Sequence, residues 1–126
     1  MRQQYHFRRS KDGELLIWNV TKLIEITQGM SVILMPLDTI QELDEAFWYD
    51  LGGGKPTCRN IAQHAKLIQQ TDLTYPIILC HEGRVMDGMH RVCKALMQGA
   101  THIKVVQFAK PILPHFIDVD PETLSY

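Results

Sequence analysis

The segment GRVMDGMHRV, residues 83–92, places an acid, a glycine, a histidine and an arginine between two apolar stretches. RVM before these polar residues has the composition of a strand. After them, Met89, Val92, Cys93 and Leu96 repeat at the spacing of one helical face, and Gly99 is placed to end the helix. We therefore expect a strand to pass into a helix at this segment.

The start of that helix has the residue types of an anion site. If Asp87 or Gly88 is the N-cap, the backbone amides of the next three residues have no partner inside the helix. Gly88 lets an anion approach the backbone, and His90 and Arg91 add side-chain donors. We predict that Gly88, Met89, His90 and Arg91 bind a phosphate group. The alternative, with about equal weight, is a capped and solvated helix start without a ligand.

Two further sets of residues extend this interpretation. Asp87 would repel a phosphate unless a cation lies between them, so we predict that Asp87 is a ligand of Mg²⁺. Thr57 and Arg59 open another predicted helix, whose N-terminus offers a second edge to a phosphate. Ordinary helix capping is the competing role for Thr57.

Two other site motifs fail on spacing. GGGKPT is not a phosphate-binding P-loop, because Tyr49 stands where the motif needs glycine and Pro56 where it needs a hydroxyl. Its glycines predict a surface loop, with a lid as the alternative role. Cys80, His81, His90 and Cys93 match no standard zinc spacing.

The rest of the chain alternates strand and helix patterns. Predicted strands are ELLIWNV, SVILM, the hairpin of PIILC and RVM, and HIKVVQF; predicted helices are TKLIEITQ, a short one capped by Asp38 that bears Ile40, Leu43 and Phe47, and CRNIAQHAKLIQQ. This alternation predicts a compact single-domain α/β (α+β) fold, a mixed sheet with flanking helices, over residues 14–110. Residues 1–13 are expected to form a flexible arm, and residues 111–126 a tail that packs on or near the domain.

Composition limits the class of protein. The 126 residues are 45% hydrophobic and carry a net charge of −1, which excludes a disordered chain and disfavours wholesale coating of nucleic acid. Three cysteines without framework spacing, no signal-peptide core and no apolar run of bilayer length predict a cytoplasmic protein without a membrane partner.

A family resemblance follows from the motif and its surroundings. PIILCHEGRVMDGMHRVCKALMQGATHIKVVQF resembles the core of the ParB/sulfiredoxin-like superfamily, and its D-G-x-H-R variant looks like that of the nucleotide-dependent free serine kinases. The similarity extends over roughly residues 14–108. It implies that Gly88, His90 and Arg91 contact nucleotide phosphates, that Asp87 lies near a metal, and that the cofactor is ATP or CTP with Mg²⁺.

Departures from the family narrow these implications. Met89 occupies the position of the catalytic cysteine of sulfiredoxins, so reductase chemistry is disfavoured. The chain is also too short for the helix-turn-helix domain that follows in ParB proteins, so DNA binding is not favoured. The kinases imply a catalytic acid, for which Glu42 ranks first and Asp44 and Glu45 remain alternatives.

Three functions remain open on the sequence alone. The first is nucleotide binding with Mg²⁺-dependent hydrolysis or phosphoryl transfer, in which Asp87 and Glu42 are catalytic. The second is a noncatalytic nucleotide-sensing module that signals to a partner through the glycine-rich loop. The third is a DNA-associated accessory protein that uses a basic arm containing Arg2, Arg8, Arg9 and Lys11.

Overall fold

Two sheets and three helices make up the fold, in a computed structural model that describes residues 3–50 and 54–125. The elements are β1 (Tyr5–Arg9), β2 (Leu15–Asn19), α1 (Val20–Ile26), β3 (Ile33–Pro36), α2 (Cys58–Gln70), β4 (Ile77–Leu79), β5 (Val85–Asp87), α3 (Met89–Met97), β6 (His102–Gln107) and β7 (Phe116–Ile117). Short 3₁₀ turns cover Leu37–Thr39, Gln41–Asp44 and Pro121–Thr123. The predicted α+β single-domain fold is confirmed.

The larger sheet is mixed, as predicted, with strand order β3-β6-β4-β5. Only the β4–β6 pair is parallel; β3–β6 and the β4–β5 hairpin are antiparallel. Side chains alternate across β4, so Ile77 and Leu79 pack toward α3 with Val92 and Val105, while Ile78 packs on the opposite face with a second apolar cluster. The sheet therefore has a buried core on each face.

The smaller sheet joins a strand near the start of the chain, β1, and a strand near its end, β7, to the central strand β2. Its order is β1-β2-β7, with both pairs antiparallel. The sequence predicts a flexible arm over residues 1–13, whereas the structure has β1 paired along its whole length with β2. The hairpin explains the difference, because the short turn at residues 10–14 lets β1 pair with β2 and buries His6.

The C-terminal segment also pairs with β2. Within residues 111–126, predicted as a tail, β7 joins β2 and the carbonyl of Ile112 accepts a hydrogen bond from Trp18 Nε1 at 2.9 Å. Tyr5 Oη donates to the carbonyl of Ser125 at 2.6 Å. This segment therefore packs on β1 and β2.

The prediction of a short helix capped by Asp38 is wrong. The structure has two 3₁₀ turns separated by Ile40, whose backbone is extended, and Asp38 does not cap either of them. Burying both Leu37 and Ile40 outweighs the helical pattern, since these side chains are 2% and 1% exposed.

The helices on either side of the site begin where predicted. Thr57 caps α2 by accepting a hydrogen bond from the amide of Asn60, and Gly88 is the N-cap of α3. Gly99 follows the end of α3 with a φ of 76°, as expected for a C-terminal glycine.

No helix within residues 3–50 and 54–125 has the length and apolar character needed to cross a membrane.

Candidate functional site

A cavity of about 620 Å³ lies between β1 and the start of α3. It is lined by Gln4, Tyr5, His6, Phe7, Arg9, Leu15, Val20, Phe47, Trp48, Val85, Met86, Asp87, Gly88, Met89, His90 and Pro121. The smaller sheet thus forms one wall, and the β5–α3 junction forms the opposite wall. Four residues predicted from the sequence, Asp87 to His90, lie together in this cavity.

Gly88 is required here for a reason that differs from the predicted one. Its φ is 106°, and a Cβ at this position would lie 2.6 Å from Ile77 Cγ2 and 2.8 Å from Arg91 Nη2. Close packing of a strand side chain and a guanidinium group therefore excludes any side chain at residue 88. The space beside the glycine is filled on that side by the protein itself.

Arg91 contacts Asp87, and it does not line the cavity. Its Nη2 lies 2.9 Å from Asp87 Oδ2, and the Arg91 side chain is only 16% exposed. Arg91 Nε is buried and has no hydrogen-bond partner. The expected direct contact between Arg91 and a phosphate in this cavity does not match this geometry.

The Asp87–Arg91 ion pair also changes the role predicted for Asp87. One carboxylate oxygen is held by the guanidinium group, which neutralises the charge that would repel a phosphate. Among the described residues, no group of three or more His, Cys, Asp or Glu side chains is arranged to hold a metal. Because Arg91 already engages one oxygen of Asp87, this geometry adds no support for a Mg²⁺ site at Asp87, which stays a prediction.

His90 belongs to a stack of rings that ties three segments together. Its Nε2 lies 2.9 Å from Nδ1 of His64 on α2, and Trp48 covers both imidazoles with ring centroids 4.7 Å and 4.1 Å away. Burial lowers the pKa of His90 from 6.5 to about 4, with further contributions from His64 and Arg91. Burial also lowers the pKa of His64. The pair is therefore neutral at pH 7, and one ring donates to the other.

Glu42 lies within the 3₁₀ turn Gln41–Asp44 and does not line this cavity. It is 2% exposed, its Oε2 accepts from the amide of Val85 at 2.7 Å, and the same oxygen lies 3.2 Å from Arg84 Nε. Its other oxygen is buried without a partner. Glu42 therefore serves as a structural link between the turn and β5, and its proposed role as a base has no support from this geometry.

Thr57 and Arg59 are also outside the cavity. Both are exposed at the start of α2, and the hydroxyl of Thr57 is used to cap that helix. Of the two neighbouring alternatives to Glu42, Glu45 pairs with Arg84 at 2.6 Å and Asp44 is exposed. The predicted site residues thus divide into a group at the α3 tip and a group elsewhere.

The basic arm proposed for DNA also has structural roles. Arg8 lies over the ring of Trp18 at 5.8 Å, and Arg9 Nη1 donates to the carbonyl of Gly13 at 3.1 Å. Arg2 lies outside the described residues, as do Gly52 and Gly53 of the predicted lid. These arginines therefore belong to a hairpin, which places Arg9 at the cavity.

The β1 wall and its buried histidine were not predicted from the sequence. His6 is 8% exposed, and its ring stacks on Phe47 at 6.5 Å and lies 5.7 Å from the ring of Trp18. Burial, with a smaller contribution from the charge of Arg8, lowers the pKa of His6 from 6.5 to about 3. Tyr5 and Phe7 alternate with His6 and Arg8 as in a strand, but His6 is the buried residue, so the alternation does not identify the buried face.

Comparison with protein-family models, curated proteins and solved structures found no match, so the resemblance to the ParB/sulfiredoxin-like superfamily stays a prediction.

Proposed function

We propose that this chain binds a phosphate-bearing small molecule, most simply a nucleotide, in the cavity between β1 and α3. The observation that carries the proposal is the composition of the cavity wall. The first turn of α3, the cation Arg9 and the rings of Phe47 and Trp48 all border one space of about 620 Å³. This volume is within the range typical of small-molecule sites, about 300–1,000 Å³.

The phosphate is assigned to the α3 end of the cavity. The amides of Met89 and His90 belong to the first turn, where the helix offers them no carbonyl, and the helix dipole favours an anion there. Because Arg91 neutralises Asp87, an incoming phosphate meets a balanced ion pair. Arg9, on the opposite wall, supplies a positive charge from a different strand.

The aromatic side of the cavity suits the rest of a nucleotide. Phe47 and Trp48 both line it, and they lie 6.3 Å apart in an edge-to-face arrangement. Aromatic rings of this kind bind a nucleobase by stacking, with little dependence on its identity. ATP and CTP are therefore equally suitable probes.

The geometry favours binding over phosphoryl transfer. Glu42 is enclosed and paired with Arg84, and Asp87 is paired with Arg91, so both predicted catalytic acids have protein partners. We therefore propose a binding module without assigning it a general base.

A ligand panel tests the proposal. We expect ATP, CTP, GTP or their diphosphates, with or without Mg²⁺, to raise the melting temperature, because a ligand that binds only the native state stabilises it. Calorimetry on Arg9→Gln should then show about five- to tenfold weaker binding, and on the control Arg59→Gln no change. Absence of any shift across the panel, or greater sensitivity at Arg59 than at Arg9, would overturn the assignment.

A further inference from the structure

The buried ring of His6, on the β1 wall of the cavity, has one nitrogen without a protein partner. The side chain is 8% exposed and borders the cavity between β1 and α3. Its Nε2 lies 3.4 Å from Arg8 Nη2, whereas no side chain or backbone group within residues 3–50 and 54–125 makes a hydrogen bond to Nδ1. Because buried polar groups are normally paired, an unpaired nitrogen at a cavity wall indicates a place for another molecule.

Arg8 fixes the tautomer of His6. A guanidinium group can only donate hydrogen bonds, so Nε2 is the acceptor in this contact. The ring is neutral at pH 7, because burial and the charge of Arg8 lower its pKa from 6.5 to about 3. A neutral imidazole whose Nε2 accepts carries its hydrogen on Nδ1. Nδ1 is therefore a hydrogen-bond donor at neutral pH.

This donor borders open space. In the described part of the chain, the side-chain polar atoms that are both enclosed and unpaired are Glu42 Oε1 and Arg91 Nε. His6 Nδ1 is unpaired but is not one of these enclosed atoms, so another molecule can reach it. His6 lines two cavities, and Arg8 lines only the smaller of them, of about 160 Å³. Since Nε2 is directed to Arg8, the cavity between β1 and α3 is the space left for Nδ1.

The neighbouring rings place the donor at the aromatic end of that cavity. The imidazole of His6 stacks on Phe47 with 16° between the ring planes, and Phe47 lies edge-to-face with Trp48. All three side chains line the cavity. A flat ligand ring seated beside Phe47 or Trp48 therefore lies next to a neutral hydrogen-bond donor.

We propose that His6 Nδ1 donates a hydrogen bond to an acceptor on the ring of the bound ligand, which makes the ligand a nucleotide and not a phosphate ester that lacks a base. This inference rests on the proposed function and names the ligand class of the same cavity. Ring nitrogens and carbonyl oxygens of the nucleobases are acceptors of the required kind. A single donor reads the presence of such an acceptor and not the identity of the base, so ATP and CTP both satisfy it.

Calorimetry with two matched ligands on the purified full chain tests this contact. His6→Phe should bind ATP about fivefold more weakly than wild type, because one neutral hydrogen bond is lost. The same variant should bind tripolyphosphate, which has the phosphates but no base, as tightly as wild type does. Arg9→Gln should weaken the binding of both ligands, and His102→Gln, at an exposed histidine of β6, should change neither.

Nitrogen NMR on the wild-type protein tests the tautomer without any substitution. We expect the His6 ring to be protonated on Nδ1, and the Nδ1 resonance to shift when ATP is added but not when tripolyphosphate is added. A proton on Nε2, an ATP affinity unchanged in His6→Phe, or equal losses for ATP and tripolyphosphate would overturn this inference and leave the proposed function standing. A wild type that binds no nucleotide would overturn both.

Discussion

Arg91 Nη2 lies 2.9 Å from Asp87 Oδ2, which places an ion pair across the start of α3. The guanidinium packs against Gly88 and does not line the cavity, so under the proposed function Arg91 would act on a phosphate through Asp87. A spacing of four residues allows this pairing, but it equally allows both side chains to face a ligand. The difference between these arrangements can be measured.

Arg91→Ala is expected to weaken phosphate-ligand binding about tenfold, which corresponds to about 1.4 kcal/mol. Without Arg91, the carboxylate of Asp87 faces the bound phosphate without a counter-charge. Calorimetry should therefore show that Asp87→Asn combined with Arg91→Ala restores affinity to within about threefold of wild type. If the double variant binds as weakly as Arg91→Ala, Arg91 contacts the ligand directly and the ion-pair explanation is wrong.

Gly88→Ala is expected to destabilise the fold much more than Gly29→Ala. Both glycines have positive φ, but a Cβ at Gly88 would lie 2.6 Å from Ile77, whereas nothing lies within 4 Å at Gly29. Backbone strain should cost about 1–2 kcal/mol in each variant, and overpacking should add about 1–3 kcal/mol at Gly88. Urea denaturation measures both free energies; equal losses would show that packing at Gly88 is not tight.

The stability of the protein should fall in mild acid because His6 is buried in its neutral form. Its pKa is lowered to about 3 in the folded chain from 6.5, so below pH 6.5 the unfolded chain binds the extra proton and folding is penalised. The free energy of unfolding should decrease by about 2 kcal/mol from His6 between pH 7 and pH 5, with the loss continuing toward pH 3.

His6→Phe should remove that part of the pH dependence while keeping the aromatic contact with Phe47. The matched control is His102→Gln, at an exposed residue of β6, which should leave the slope unchanged. The measurement is urea denaturation at a series of pH values. A slope that does not change in His6→Phe would show that His6 is not the titrating group.

Local signals explain the parts of the fold that the sequence predicts well. Thr57 and Gly88 begin helices because capping depends on neighbouring residues, and the β4–β5 hairpin depends on a short turn at Gly83. β1 pairs with β2 through the short turn at residues 10–14, a local hairpin that the expectation of a flexible arm did not include. The pairing of β7 with β2, which joins Phe116 to Ile17, is between distant segments, and the sequence pattern does not encode it locally.

The candidate site likewise has a part that the sequence predicts and a part that depends on contacts in the folded chain. The motif predicts a polar helix start, and the structure has one at the cavity between β1 and α3. The direction of Arg91 depends on a local contact with Asp87, four residues earlier, and the burial of Glu42 depends on a tertiary contact with Arg84. Residue types alone do not distinguish these contacts from contacts with a ligand. Phe47 and Trp48 reach the cavity from an irregular segment, where no periodicity predicts side-chain direction.

Glu42→Gln should reduce stability without changing ligand affinity. The substitution removes the charge that pairs with Arg84 Nε at 3.2 Å, and loss of a charged hydrogen bond costs about 1.5–3 kcal/mol. Exposed Asp44, replaced by Asn, is the control and should have little effect on stability. Thermal denaturation and calorimetry measure the two properties. A loss of nucleotide turnover with unchanged stability would instead identify Glu42 as a base.

α2 should open more readily than α3, and the contact between His64 and His90 should control that opening. None of the residues of α2 is buried, whereas α3 buries Met89, Val92 and Ala95. Besides the ring stack, Asn60 accepts a hydrogen bond from Tyr49 Oη at 2.7 Å, and Lys94 Nζ donates to the carbonyl of Thr71 at 2.7 Å. Few contacts therefore oppose local opening of α2.

His64→Ala removes both the hydrogen bond to His90 and the stacking on Trp48, which together are worth about 1–2 kcal/mol. Hydrogen exchange should become about tenfold faster along α2 and remain unchanged in the middle of α3. Gln63→Ala changes an exposed neighbour on the same helix and is the matched control. If both variants exchange at the wild-type rate, the ring stack does not hold α2; if α3 accelerates as well, the two helices open as one unit.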